Sequence, residues 1–140
     1  MSLELLVVAG EASADVYAAQ IVRNLRSMDP DLKIFGVGGK NLQAAGMEIT
    51  VPSSAISVMG FSDWLGRAGE VIGGYRKVVR TLKTRVPDAA LLLDLPDFNL
   101  RIAHSLNELG VPVIYFISPQ VWAWRSGRIS KIKKWVTKML

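Results

Sequence analysis

Cysteine is absent from this chain, and histidine occurs once, at His104. No disulfide framework, thiolate metal site or thiol redox centre can be built without cysteine. A single imidazole, set in a stretch that reads as helix, does not make a zinc site either. No apolar run approaches the roughly 18 residues that a membrane-spanning helix needs. No basic segment precedes the first apolar run, so no signal peptide is expected and the cytoplasm is the default location. Acidic residues stop at Glu108, whereas Arg125, Arg128, Lys131, Lys133, Lys134 and Lys138 crowd the C-terminal end. The net charge of +5 is therefore largely a C-terminal feature, which points to a local anionic partner rather than a generally basic surface. With 50% apolar and 21% charged residues in 140 positions, the chain reads as one globular domain long enough to bury its own core.

The apolar residues come in short runs separated by helical patterns. Residues 5–9, 33–37 and 113–117 read as strands, and 48–51 as a short edge strand. The run beginning at Ala89 has no polar alternation and ends abruptly in Asp94, Pro96, Asp97 and Asn99. Such a run is a parallel strand covered on both faces. Helices are expected over residues 15–28, 41–45, 75–86, 98–109 and 127–140. Ser13 is the expected N-cap of the first, with Asp15 favouring the positive end of its dipole. Asp97 or Asn99 is a candidate cap for the fourth, and Gly46 and Gly110 are expected helix stops. Residues 53–74 resist assignment. Ile56, Val58, Met59, Phe61, Trp64 and Leu65 are broken by Gly60, Gly66, Gly69, Gly73 and Gly74, which fits either loose core or an adaptable apolar surface. Strand and helix in alternation predict an α/β fold, a Rossmann-like doubly wound parallel sheet.

In such sheets ligands bind just beyond the carboxyl ends of the strands, so the residues there carry the chemistry. Asp94 lies outside any expected helix, and capping does not account for it. The first turn, Gly10-Glu11-Ala12-Ser13-Ala14-Asp15, has one glycine and two carboxylates. That is a poor pyrophosphate loop, and it suits sugar hydroxyls better, because carboxylates accept hydrogen bonds from them. A plain helix start explains Ser13 and Asp15 and leaves Glu11 over. Glu11 and Asp94 facing one cleft would divide proton abstraction and orientation between them. Gly36-Val37-Gly38-Gly39 reads as a tight turn or as a close approach to a ligand. Ser118 to Arg125 sets Trp122 and Trp124 beside Arg125 on a loop at the same edge. They pack on the chain's own helices, or form a sugar or lipid face with Arg125 for a phosphate. Ile129, Ile132, Trp135 or Val136, and Met139 or Leu140, with lysines on the other face, fit an ordinary sheet-packing helix or an interfacial helix on anionic lipid. Nucleic acid ranks last, because no recognised motif accompanies the charge.

Taken together these segments resemble the N-terminal half of the bacterial lipid-A-disaccharide synthases. The segments are residues 9–15, 36–39, Val58-Met59-Gly60-Phe61, Asp94-Leu95-Pro96-Asp97-Phe98-Asn99 and Ser118-Pro119-Gln120-Val121-Trp122-Ala123-Trp124-Arg125. The resemblance implies one half of a GT-B glycosyltransferase. It implies transfer of 2,3-diacylglucosamine from its UDP conjugate to the 6-hydroxyl of 2,3-diacylglucosamine 1-phosphate, giving a β-1,6 disaccharide and UDP. No metal or cofactor is implied, and the work is done at the inner face of the cytoplasmic membrane. Asp94 takes the place of the general base and Glu11 that of the second essential carboxylate. Gly10, Ser13, Asp15, Asp97, Asn99, Ser118, Gln120, Trp122, Trp124 and Arg125 become the substrate cleft. Met59, Phe61, Trp64 and Trp135 become contacts for acyl chains or membrane.

Three positions depart from the family pattern. Ala14 stands where glycine is usual, Lys40 where proline is usual and Gln120 where serine is usual. The resemblance covers only the first part of such an enzyme, so a C-terminal UDP-sugar-binding domain is expected in cis or as a partner chain. Residues 1–140 alone are expected not to turn over, and homo-oligomerisation is left open. The alternative is a non-catalytic Rossmann module that binds a nucleotide sugar or a glycolipid.

Overall fold

The computed structural model describes residues 3–55, 61–93, 96–116 and 137–139. The unalternating apolar runs become strands: β1 (Glu4–Ala9), β2 (Lys33–Gly38), β3 (Glu48–Pro52), β4 (Ala89–Leu93) and β5 (Val113–Phe116). Between them lie α1 (Ala12–Met28), α2 (Lys40–Ala44), a 3-10 turn (Ser53–Ala55), α3 (Phe61–Thr84) and α4 (Pro96–Glu108), and the last strand is β6 (Lys138–Met139). All neighbouring strands pair in parallel, in the order β3-β2-β1-β4-β5-β6. This is the doubly wound order, which reverses between β1 and β4.

Alternate residues of each strand feed two cores. Leu6, Val8, Phe35, Ala90 and Leu92 pack with Val78 and Leu82 of α3 and with Leu100, Ile102, Ala103 and Leu106 of α4. Leu5, Val7, Ala9, Leu91 and Leu93 pack with Ala14, Ala18, Ala19 and Val22 of α1 and with Leu42 of α2. Burial on both sides explains why β1 and β4 are apolar throughout. Gly46 and Gly110, at φ +100° and +74°, follow α2 and α4 as expected helix stops. At Gly36 (φ +141°), where the β2–β3 register shifts, a Cβ would stand 2.1 Å from the Val7 carbonyl oxygen. The four-residue glycine-containing segment is therefore partly a strand irregularity and not simply a turn. The opposite, N-terminal edge of the sheet is tied by Arg85, which pairs with Glu4 (3.0 Å) and Glu48 (2.9 Å) and lies 4.0 Å over the Phe35 ring.

Three sequence expectations need correction. Residues 61–84 form one 24-residue helix, so most of the segment that resisted assignment continues directly into the basic helix expected over 75–86. Each glycine costs a helix about 1 kcal/mol against alanine. The helix recovers this by burying Gly74, Val78 and Leu82, spaced four residues apart, against the sheet. Next, the helix expected to reach residue 140 does not. Lys138–Met139 pairs with Ile114 and Tyr115 of β5. Thr137 prepares that pairing: its N–H donates to the Val113 carbonyl (2.8 Å), and its hydroxyl accepts the Val113 N–H (2.9 Å). Finally, α4 starts at Pro96. Proline suits a first helical position because its missing N–H would be unpaired there anyway. Asp97 and Asn99 therefore sit in the first turn and neither is the N-cap.

Candidate functional site

β1 and β4 are the two central strands, and their register pairs Ala9 with Leu93 at the carboxyl ends. The crevice at the reversal point of the strand order opens beyond this pair. From β1 the chain passes through buried Gly10 to Glu11, which is the N-cap residue of α1 in extended conformation. The Glu11 carbonyl accepts the Asp15 N–H (2.9 Å), which opens the helix. Its side chain makes no capping hydrogen bond and is exposed. Ser13, expected as the cap, lies inside the first turn and is exposed. Alanine at positions 12 and 14 favours helix strongly enough to move the N-cap two residues earlier, from Ser13 to Glu11. Ala14 itself is 1% exposed within the α1-side core, so its methyl group packs inward.

Asp15 takes a different position from the one expected. The residue is 4% exposed and its carboxylate points at α2. Oδ1 accepts the N–H of Gly39 (2.7 Å) and of Leu42 (3.3 Å), and Oδ2 accepts that of Asn41 (3.0 Å). These are the first amides of α2, whose own N-cap residue, Gly39, has no side chain to offer. The sequence carried the signal: Gly38-Gly39-Lys40 before a helix leaves its first N–H groups without a local acceptor. Gly38 and Gly39 complete the joint. A Cβ at Gly38 would meet Leu42 at 2.6 Å, and one at Gly39 would meet the Asp15 carboxylate at 3.1 Å. Asp15 therefore organises the floor beside the cleft.

Asn99 is fully buried, and its Nδ2 donates to the Leu93 carbonyl (3.0 Å). It ties the first turn of α4 to the end of β4 and so fixes where the chain leaves that strand. Tyr75 of α3 and Phe98 of α4 meet edge to face, with ring centroids 6.0 Å apart.

The structure thus places Gly10, Glu11 and Ser13 beyond β1, with Asp15 turned to α2, and Asn99 and the Asp97 backbone beyond β4. Asp94, Met59, Ser118, Gln120, Trp122, Trp124, Arg125 and Trp135 lie outside the described residues. Phe61 and Trp64 are described as α3 backbone. Among the described residues, no three His, Cys, Asp or Glu side chains cluster as metal ligands, and no helix is long and apolar enough to cross a membrane.

The model of the lipid-A-disaccharide synthetase family matches residues 5–140. The chain is 49% identical over 137 residues to a lipid-A-disaccharide synthase of Anaeromyxobacter sp. (strain K), covering 98% of this chain and 36% of that protein. It is 47% identical over 136 residues to that of Myxococcus xanthus, covering 97% and 36%. The chain therefore spans about a third of the length of the curated relatives it matches. Among solved structures it is similar to Medicago truncatula UGT71G1 complexed with UDP-glucose, with a TM-score of 0.50 and 14% identity over 83% of this chain and 29% of that one. A ugt transferase from Siraitia grosvenorii in complex with UDP gives a TM-score of 0.52 and 12% identity, over 83% and 28%. At these identities the likeness is one of fold, that of one lobe of a GT-B glycosyltransferase.

Proposed function

The chain belongs to the lipid-A-disaccharide synthetase family, and from that membership we propose that it forms the acceptor-binding lobe of the transferase. The reaction joins 2,3-diacylglucosamine from its UDP conjugate to 2,3-diacylglucosamine 1-phosphate. The observation that carries the proposal is the Ala9–Leu93 register. Glu11 stands two residues beyond one end of that pair, and Asp94 is covalently the next residue beyond the other. Two carboxylates at adjacent strand ends suit a transfer that needs a base and an orienting acceptor.

In the proposed step the 6-hydroxyl oxygen of the acceptor attacks the anomeric carbon of the donor. The bond from that carbon to the UDP oxygen breaks, and UDP leaves with the electron pair. Asp94 takes the hydroxyl proton, and attack opposite the leaving group inverts the anomeric centre to β. Glu11, exposed and uncommitted to capping, accepts hydrogen bonds from acceptor hydroxyls. Trp122, Trp124 and Arg125 shape the far wall. Met59, Phe61, Trp64 and Trp135 serve acyl chains at the inner face of the cytoplasmic membrane. The UDP-sugar-binding domain belongs to the length that the relatives have and this chain does not span. Lys40 and Gln120, where the family pattern differs, border this cleft in the proposal.

Calorimetric titration of the chain with detergent-dispersed diacylglucosamine 1-phosphate, beside UDP, tests the reading. Saturable acceptor binding without UDP binding supports it. UDP binding without acceptor binding replaces it with the nucleotide-module reading. In a chain spanning the relatives' full length, Asp94→Asn should bind acceptor normally and lose about a hundred- to ten-thousand-fold in turnover, the worth of a general base. Unchanged turnover would remove Asp94 from that role.

A further inference from the structure

The second turn of α1 carries an aromatic side chain that the packing of the fold does not account for. Tyr17 is 57% exposed and belongs to neither core. Its place on the helix follows from Asp15, which turns to α2. Residues two apart on a helix stand about 200° apart around its axis, so Tyr17 lies on the flank away from α2. α1 joins β1 to β2 and α2 joins β2 to β3, on the same face of the sheet. The flank away from α2 is therefore the one on the β4 side, where the strand order reverses. Tyr17 also falls at the right height. The helix starts at the carboxyl end of β1, and helical side chains lean back toward their N-terminus. Tyr17 leans over the turn that holds exposed Ser13, which precedes it by about 6 Å along the axis, and toward Glu11 beyond it. At the same end of the sheet Ala9, Leu93 and Phe116 stand in register on β1, β4 and β5. All three face the α1 layer, and Phe116 is only partly buried.

We propose that Tyr17 is a substrate-binding residue whose ring face carries the pyranose ring of the acceptor, while Glu11 and Ser13 take hydroxyls of the same sugar. The inference rests on the acceptor-lobe reading above and names a contact within it. A pyranose shows two chemistries at once: hydroxyls around its rim and a patch of C–H groups on its face. Recognition needs hydrogen-bonding groups at the edge and a flat apolar surface beneath. Glu11, Ser13 and Tyr17, all exposed at the start of one helix, supply that combination. A uracil ring would also stack on an aromatic face, but its diphosphate would then lie near the Glu11 carboxylate. An acyl chain needs only apolar area and has no use for the carboxylate and hydroxyl beside the ring.

Calorimetric titration of Tyr17 variants with detergent-dispersed diacylglucosamine 1-phosphate, beside UDP, tests the contact. Tyr17→Ala and Tyr17→Leu should each weaken acceptor binding by roughly tenfold, the worth of one aromatic stacking contact. Tyr17→Phe keeps the ring face and should stay within about twofold of wild type. Met28→Ala, at the far end of the same helix and 82% exposed, should leave binding unchanged. Tyr17 is an exposed residue, so the unfolding midpoints of its variants should match that of wild type. Wild-type binding by Tyr17→Leu would show apolar area to be enough, as for an acyl chain, and overturns the stacking. A loss in Tyr17→Phe as large as in Tyr17→Ala assigns the contact to the hydroxyl and overturns it too. Acceptor binding that no Tyr17 variant alters overturns this inference alone and leaves the acceptor lobe standing. Wild type that binds UDP in place of the acceptor, or binds neither, overturns the inference together with the acceptor reading.

Discussion

Replacing Asp15 tests whether the second strand end is held by the first helix. The carboxylate accepts three backbone N–H groups at 2.7, 3.0 and 3.3 Å and is 4% exposed. A hydrogen bond to a charged group contributes about 1.5–3 kcal/mol, but three bonds to one carboxylate do not add. Gly39 is half-buried and Asn41 exposed, so water replaces part of what they lose; the Leu42 N–H, in a buried setting, has no such recourse. Asp15→Ala should therefore destabilise the chain by about 3 kcal/mol, between the roughly 1 kcal/mol of an ordinary N-cap and the sum of separate charged bonds. Asp15→Asn keeps one oxygen, which can still take Gly39 and Leu42, but turns an amide donor toward the Asn41 N–H. It should lose about 1–2 kcal/mol. Urea denaturation reads both as a lower midpoint at unchanged slope, and amide exchange should quicken at Gly39, Asn41 and Leu42 before the rest of the sheet. The reasoning fails if Asp15→Asn lies within about 0.5 kcal/mol of wild type, or if Asp15→Ala loses less than a single surface cap would.

Gly36→Ala should abolish soluble folded chain or lower its unfolding midpoint beyond any other alanine substitution in β2, because the new Cβ would stand 2.1 Å from the Val7 oxygen at φ +141°; soluble yield and circular dichroism check this. Arg85→Ala should lower stability by about 1–2 kcal/mol, modest because both ion pairs are partly solvated. About half of that loss should persist in high salt, since the contact over Phe35 is short-range and screened less than the pairs.

The parallel strands and the two-sided core were legible because unalternating apolar runs such as Leu5 to Ala9 and Ala89 to Leu93 fit strands covered on both faces. Element ends set by a glycine, at Gly46 and Gly110, were legible for the same local reason. The fold departed from the reading where tertiary burial overrode local preference. Glycines at 66, 69, 73 and 74 argue against a helix one by one, yet the line Gly74, Val78, Leu82 must meet the sheet, and that requirement wins. The lysine-rich C-terminal end read as amphipathic helix, but a two-residue strand completes the β5 edge at Lys138–Met139. Helix spacing does not foresee such a pairing, because its partner lies more than 20 residues earlier in the chain.

At the candidate site, residue type was legible and division of labour was not. Glu11 and Asp15 occur four residues apart in one acidic turn, and the family resemblance assigns both to the substrate cleft. The start of α1 separates them. Glu11 remains on the exposed N-cap, while Asp15, one turn on, is buried against α2. The two stay coupled, because the Glu11 carbonyl accepts the Asp15 N–H (2.9 Å) while the Asp15 carboxylate grips the second loop. The backbone that carries Glu11 is thereby fixed at two points, one along the helix and one across to β2 and α2. A carboxylate that is to orient a sugar hydroxyl for attack must be held to within a fraction of an ångström, and supporting hydrogen bonds provide that. In the proposed reading Asp15 meets that requirement by turning to α2, so that the motif would place Glu11 for contact while Asp15 holds its backbone there.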